Sequence, residues 1–76
     1  MPVNIVDIKK LVGLQLGVRA VNDQDRLVED LGAESADVAN LIAAVEEKYN
    51  ITIKESEIAK IFTPVDLYQI IQSRIP

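Results

Sequence analysis

Ser35 is the side chain of this 76-residue sequence best placed to do chemistry. It follows a turn at Gly32, sits beside Glu34 and two residues before Asp37, and opens a long apolar-periodic run. A serine there can act as a helix N-cap, its hydroxyl accepting a bond from an orphan N–H of the first turn. It can also be a point of attachment. Exposed N–H groups and the helix dipole favour an anionic phosphate at a helix start, by at most about 1 kcal/mol at an exposed site. Periodicity alone favours the cap.

Composition limits what Ser35 could do unaided. The chain contains neither histidine nor cysteine. A Ser–His hydrolytic pair is therefore impossible, and the commonest metal ligand, thiol ligation and disulfides are all excluded. There is no Gly-rich phosphate cradle and no carboxylate pair with an evident cleft, so an enzyme is not expected. Net charge is −4 and the pI about 4.6. An acidic surface repels phosphate backbones, which argues against nucleic acid and for partners with basic patches. No apolar run approaches the ~20 residues that a membrane span needs. The first residues lack the basic-then-apolar layout of a signal peptide, so a cytoplasmic location is expected. A monomer is expected as well.

The elements that must position Ser35 read as helices. A first helix is expected over residues 3–16, with Ile5, Ile8, Val12 and Leu16 on one face and Leu11 beside them. Gly13 weakens it and Gly17 stops it. Leu14 falls off the stripe. A long loop over 18–34 carries apolar anchors at Val18, Val21, Leu27, Val28 and Leu31. A second helix is expected over Ser35–Tyr49 from Val38, Leu41, Ile42, Val45 and Tyr49, with Asn50 as its stop. "ITIKE" alternates like a strand but is too short and solitary for a sheet. "SEIAKIF" predicts a short third helix. A last helix over 63–75 begins with Thr63 as N-cap, Pro64 at N1 and Asp66 at N3. The expected fold is all-α: one domain over 1–76, a small four-helix bundle with three longer helices and a short third one.

The segment "EDLGAESADVANLIAAVEEKYNITI" resembles the central motif of acyl carrier proteins. There an Asp-Leu-Gly turn leads to an acid–serine pair and a helix that ends in acids before an aromatic. Here those positions are Asp30, Leu31, Gly32, Glu34, Ser35, Glu46, Glu47 and Tyr49. "KKLVGLQLGV" is similar to the family's first helix and "KIFTPVDLYQII" to its last, so the resemblance covers nearly the whole chain in order. It implies that Ser35 carries 4′-phosphopantetheine, installed from coenzyme A by a phosphopantetheinyl transferase. Acyl groups would be held as thioesters on that arm and delivered to partner enzymes in fatty acid, lipid or polyketide-type biosynthesis. The cofactor would then supply the sulfur that the chain lacks.

The resemblance also implies a partner-recognition set: Glu34, Asp37, Asn40, Glu46 and Glu47, docking on basic patches of the transferase and of acyl-processing enzymes. A solvated helix face is the alternative reading of these acids. Against it, Glu46 and Glu47 lie in the last turns of the helix, where the dipole disfavours anions. Val38, Ile42, Ile53, Ile58, Ile61 and Ile71 are expected to face one another across the last three helices, as ordinary core and, by the resemblance, as walls of an acyl-chain pocket. Glu34, Ala36 and Asn40 depart from the family's usual Asp, larger apolar residue and acid. Those departures point to a specialised carrier. A peptidyl or aminoacyl carrier, and a non-carrier helical module with Ser35 as cap, are the alternatives.

Overall fold

Asn4 caps the first helix: its Oδ1 accepts the N–H of Asp7 at 2.9 Å and starts helix α1, Ile5–Leu16. The computed structural model describes residues 3–75, and all four of its helices pack around one apolar cluster. Helix α2 is Ser35–Tyr49, α3 is Glu55–Ile58 and α4 is Pro64–Arg74. Among the described residues there is no strand; "ITIKE" runs as irregular chain into α3.

The apolar spacing explains the packing. Ile8 and Val12 of α1, Leu41 and Val45 of α2, and Leu67 and Ile71 of α4 are fully buried. Helix α1 packs against both α2 and α4. The Tyr49 phenol at the end of α2 has its pKa pushed up, first by burial and then by the negative charge of Asp7. Asp7 lies in the first turn of α1, so α1 and α2 run antiparallel.

Gly17 adopts the left-handed conformation at φ 69° and its N–H bonds the Gly13 carbonyl, ending α1 as the sequence predicts. Gly13 is more than a weak point in the helix. It is buried, and a Cβ there would lie 2.7 Å from the Val18 carbonyl oxygen. Its lack of a side chain lets the following loop fold back on α1, with the Val18 N–H on the Gly13 carbonyl at 2.9 Å.

The loop over 18–34 is tied down along its length. Lys9 of α1 pairs with Asp23 at 2.8 Å. Asp25 accepts the Asn22 N–H at 2.9 Å, and Asp30 accepts the Arg26 N–H at 2.8 Å. Leu27 is buried, and Val18, Val21 and Leu31 are half-buried. Val28 departs from the expectation: it is 55% exposed and anchors nothing. Residues 27–31 form a helical turn, so only part of its apolar side chains can face inward, and Leu27 and Leu31, four apart, take that side.

The third helix is shorter than expected. It covers four residues, and the chain turns at 59–60. Ile61, expected at its end, is buried instead in the link to α4. Helix α4 starts as read: the Thr63 Oγ1 accepts the Asp66 N–H at 3.2 Å, and Asp66 accepts the Thr63 N–H at 3.1 Å.

Candidate functional site

Ser35 is exposed at the first position of α2, one residue inside the cap position that sequence spacing predicts. The N-cap is Glu34, in extended conformation at φ −96° and ψ 171°. Asp37 is therefore the third helical residue, and its Oδ2 accepts the Glu34 N–H at 2.9 Å. The cap of α2 is built by Glu34 and Asp37. Among the described residues, the Ser35 hydroxyl takes part in no hydrogen bond. It stands on a 15-residue helix, in solvent, with the positive end of the dipole behind it.

The turn that presents it follows from the local sequence. Asp30 holds the Arg26 N–H, and the Asp30 and Leu31 N–H groups bond the Arg26 carbonyl at 2.9 and 3.0 Å. Gly32 ends this turn at φ 73°, a conformation that costs a non-glycine residue about 1 kcal/mol. Ala33 then drops into the core, 6% exposed, and its N–H bonds the Leu27 carbonyl at 2.8 Å. The Leu27 N–H in turn bonds the Phe62 carbonyl at 2.8 Å. Leu27 thus joins the loop, the start of α2 and the link before α4.

The acids expected to recognise partners separate into two kinds. Glu34, Asn40 and Glu47 are exposed. Asp37 is half-buried and spends one oxygen on the cap. Glu46 turns to the other flank of α2, where its Oε2 accepts the Ile53 N–H at 2.9 Å. This explains an anion near the end of a helix: it satisfies a backbone donor of the following loop.

Of the expected pocket residues, Ile42, Ile53, Ile61 and Ile71 are buried, while Val38 and Ile58 are half-buried against the same cluster. They are brought together, and they are packed closed. A surface depression of about 370 Å³ lies on the other side of α3, lined by Glu57, Lys60, Asp66, Gln69, Ile70 and Ser73. The edge of α3 is held by a residue that spacing did not reveal. Arg74, at the end of α4, donates to the Thr52 carbonyl at 2.9 Å and pairs with Glu57. The Lys54 N–H on the Glu57 carboxylate, and then Arg74, hold the Glu57 pKa below the ordinary glutamate value. Among the described residues no cluster could hold a metal ion, and no helix is long and apolar enough to cross a membrane.

Comparison with known proteins gives a consistent family. The family model described as "Phosphopantetheine attachment site" matches residues 6–71. An acyl carrier protein of Wolinella succinogenes is 45% identical over 69 residues, covering 88% of this chain and 91% of the relative. One from Chlamydia caviae is 39% identical over 70 residues, covering 90% and 91%. A solved Mycobacterium tuberculosis structure, described as an acyl carrier protein, superposes with a TM-score of 0.80 at 27% identity, covering 86% of this chain and 89% of that one.

Proposed function

Because the chain belongs to the acyl carrier protein family, whose prosthetic group is 4′-phosphopantetheine, we propose that Ser35 is its attachment point. The protein is a carrier and not an enzyme. The observation that carries the assignment is the free, solvent-facing Ser35 hydroxyl at the start of α2, relieved of capping by Glu34 and Asp37. It fits a phosphodiester: the oxygen is accessible, and the adjoining helix end attracts an anion. When bound, the group supplies the thiol on which acyl cargo is held as a thioester. The chain's own residues present, orient and shield. The bonds at Asp30, Gly32 and Ala33 fix the direction of Ser35, and the exposed Glu34, Asn40 and Glu47, with Asp37, offer a negative face to basic partners.

The partners are a phosphopantetheinyl transferase, which loads Ser35 from coenzyme A in the cytoplasm, and acyl-processing enzymes of fatty acid, lipid or polyketide-type biosynthesis. Ala36 and Asn40 soften the expected docking face, which favours a carrier dedicated to one pathway. Cargo of medium length inserts among Val38, Ile42, Ile53, Ile58, Ile61 and Ile71, with α3 lifting to admit it, since a four-residue helix opens at low cost. A medium acyl chain should shift the amide NMR signals of Ile58 and Ile61 more than an acetyl group does; equal spectra would rule this pocket out.

Intact-mass measurement tests the attachment. With coenzyme A and a broad-specificity transferase the chain should gain one phosphopantetheine, and Ser35→Ala should gain none. Loading of Ser35→Ala, or no gain by the parent chain, would reject the assignment.

A further inference from the structure

Among the described residues, large apolar side chains left in solvent are few: Val6, Leu14, Val28 and Phe62. Phe62, 59% exposed, is the only aromatic among them, and its position is specific. It sits in the link before α4, its carbonyl holds the Leu27 N–H, and its side chain borders a depression shared with Arg26 and Glu29. Leu27 in turn holds Ala33, two residues before Ser35. With α-carbons 3.8 Å apart along the chain and about 5 Å apart across a backbone hydrogen bond, that path puts Phe62 within about 20 Å of Ser35. An ordinary protein interface, about 800 Å² per partner and so about 30 Å across, spans both.

The face of α2 beyond Ser35 offers a partner no comparable hold. Its exposed apolar residues there are Ala36, Ala39 and Ala43. From Arg26 to Asp37 the chain carries four acids, Glu29, Asp30, Glu34 and Asp37, against the single cation Arg26. Interface energy concentrates in a few desolvated aromatic and aliphatic anchors, while surrounding charges steer and orient. Resting on the reading of Ser35 given above, we infer that Phe62 is the apolar anchor for the enzyme that modifies Ser35: an apolar socket rimmed by basic residues seats Phe62 while the rim meets Glu29, Asp30 and Glu34. The hold that the alanine-faced helix cannot give is thereby supplied from the loop side of the serine.

Val6 provides the control. It is 52% exposed, close to Phe62 in exposure, and neighbours Asp7, whose charge reaches Tyr49 at the far end of α2. That end is about 20 Å from Ser35, at 1.5 Å per helical residue. The experiment measures loading kinetics with coenzyme A and a broad-specificity phosphopantetheinyl transferase. Phe62→Ser should raise KM about tenfold with kcat within about twofold of the parent, the pattern of lost binding. Phe62→Leu should recover most of the affinity, and Val6→Ser should change nothing. A second measurement does not depend on turnover: Ser35→Ala should inhibit loading competitively, and adding Phe62→Ser should raise its inhibition constant by the same factor. Circular dichroism melting confirms that each variant is folded. Parent-like KM and inhibition constants for Phe62→Ser would overturn the anchor while leaving Ser35 as the attachment point. No loading of the parent chain would overturn both.

Discussion

The two regions that flank α2 are held by different means. The loop before it, 18–34, is joined to the core by backbone bonds, Leu27 to Phe62 and Ala33 and Val18 to Gly13, while the Asp25 and Asp30 carboxylates close local turns and Lys9 pairs with Asp23. The segment after it, 51–61, rests on two charged side chains, Glu46 reaching to Ile53 and Arg74 reaching to Thr52 and Glu57, over a helix of four residues. Backbone ties to a buried residue open only with the fold. The exposed Arg74 clasp opens locally, because water competes for both partners. A carrier needs this division. On the reading proposed above, Ser35 keeps its direction while the flank over the apolar interior gives way to cargo.

The contrast breaks first at Leu27. Its side chain is fully buried, and Leu27→Ala should cost about 2–5 kcal/mol, comparable with the ~3–5 kcal/mol that a core of this size supplies. Denaturant melts should show a protein unfolded or nearly so at 25 °C, and a loss below about 1 kcal/mol would show that the loop is not what positions Ser35. A smaller and more local effect is expected at the other clasp. Arg74→Ala should lower global stability by no more than about 1 kcal/mol, yet amide exchange from Ile51 to Ile61 should quicken well beyond that of residues 27–34. Uniform acceleration along the chain would mean that the α3 flank is not a separately opening unit.

The smallest effect is a pH dependence. The folded-state pKa of Glu57 lies below its ordinary value of 4.5. Its contribution is therefore complete above pH 4.5 and fades as pH falls toward the folded value, where the unfolded chain binds the proton first. Glu57→Gln should flatten this acid limb of the stability curve and leave neutral pH nearly unchanged. An acid limb of the same steepness in the variant would show that the clasp carries no charge-dependent stability.

What could be read beforehand followed from local chemistry. Helix α2 has the predicted bounds because its apolar period is clean and Asn50 accepts the left-handed conformation at φ 55°. Thr63, Pro64 and Asp66 start α4 as a cap, a first-turn proline and a third-position acid should. The cap of α2 differs from the expected Ser35, although its signal is present in the sequence. Glu34 and Asp37 have the same spacing as Thr63 and Asp66, with an acid at the third position, and that pattern places Ser35 inside the helix. Other features depend on distant neighbours. Gly13 is needed because Val18 returns to it, Ile61 leaves α3 because the core takes it, and Arg74 finds Thr52 and Glu57 across 22 and 17 residues. No spacing rule connects such partners.

The chain has three serines, and two of them open helices: Ser35 at the first position of α2 and Ser56 at the second of the four-residue α3. The third, Ser73, donates its hydroxyl to the Ile70 carbonyl at 2.7 Å. Tandem mass spectrometry of the loaded, proteolysed chain therefore tests the central claim most directly. The phosphopantetheine should be found wholly on the peptide containing Ser35. Its recovery on Ser56 or Ser73, or its absence after treatment with coenzyme A and transferase, would contradict it.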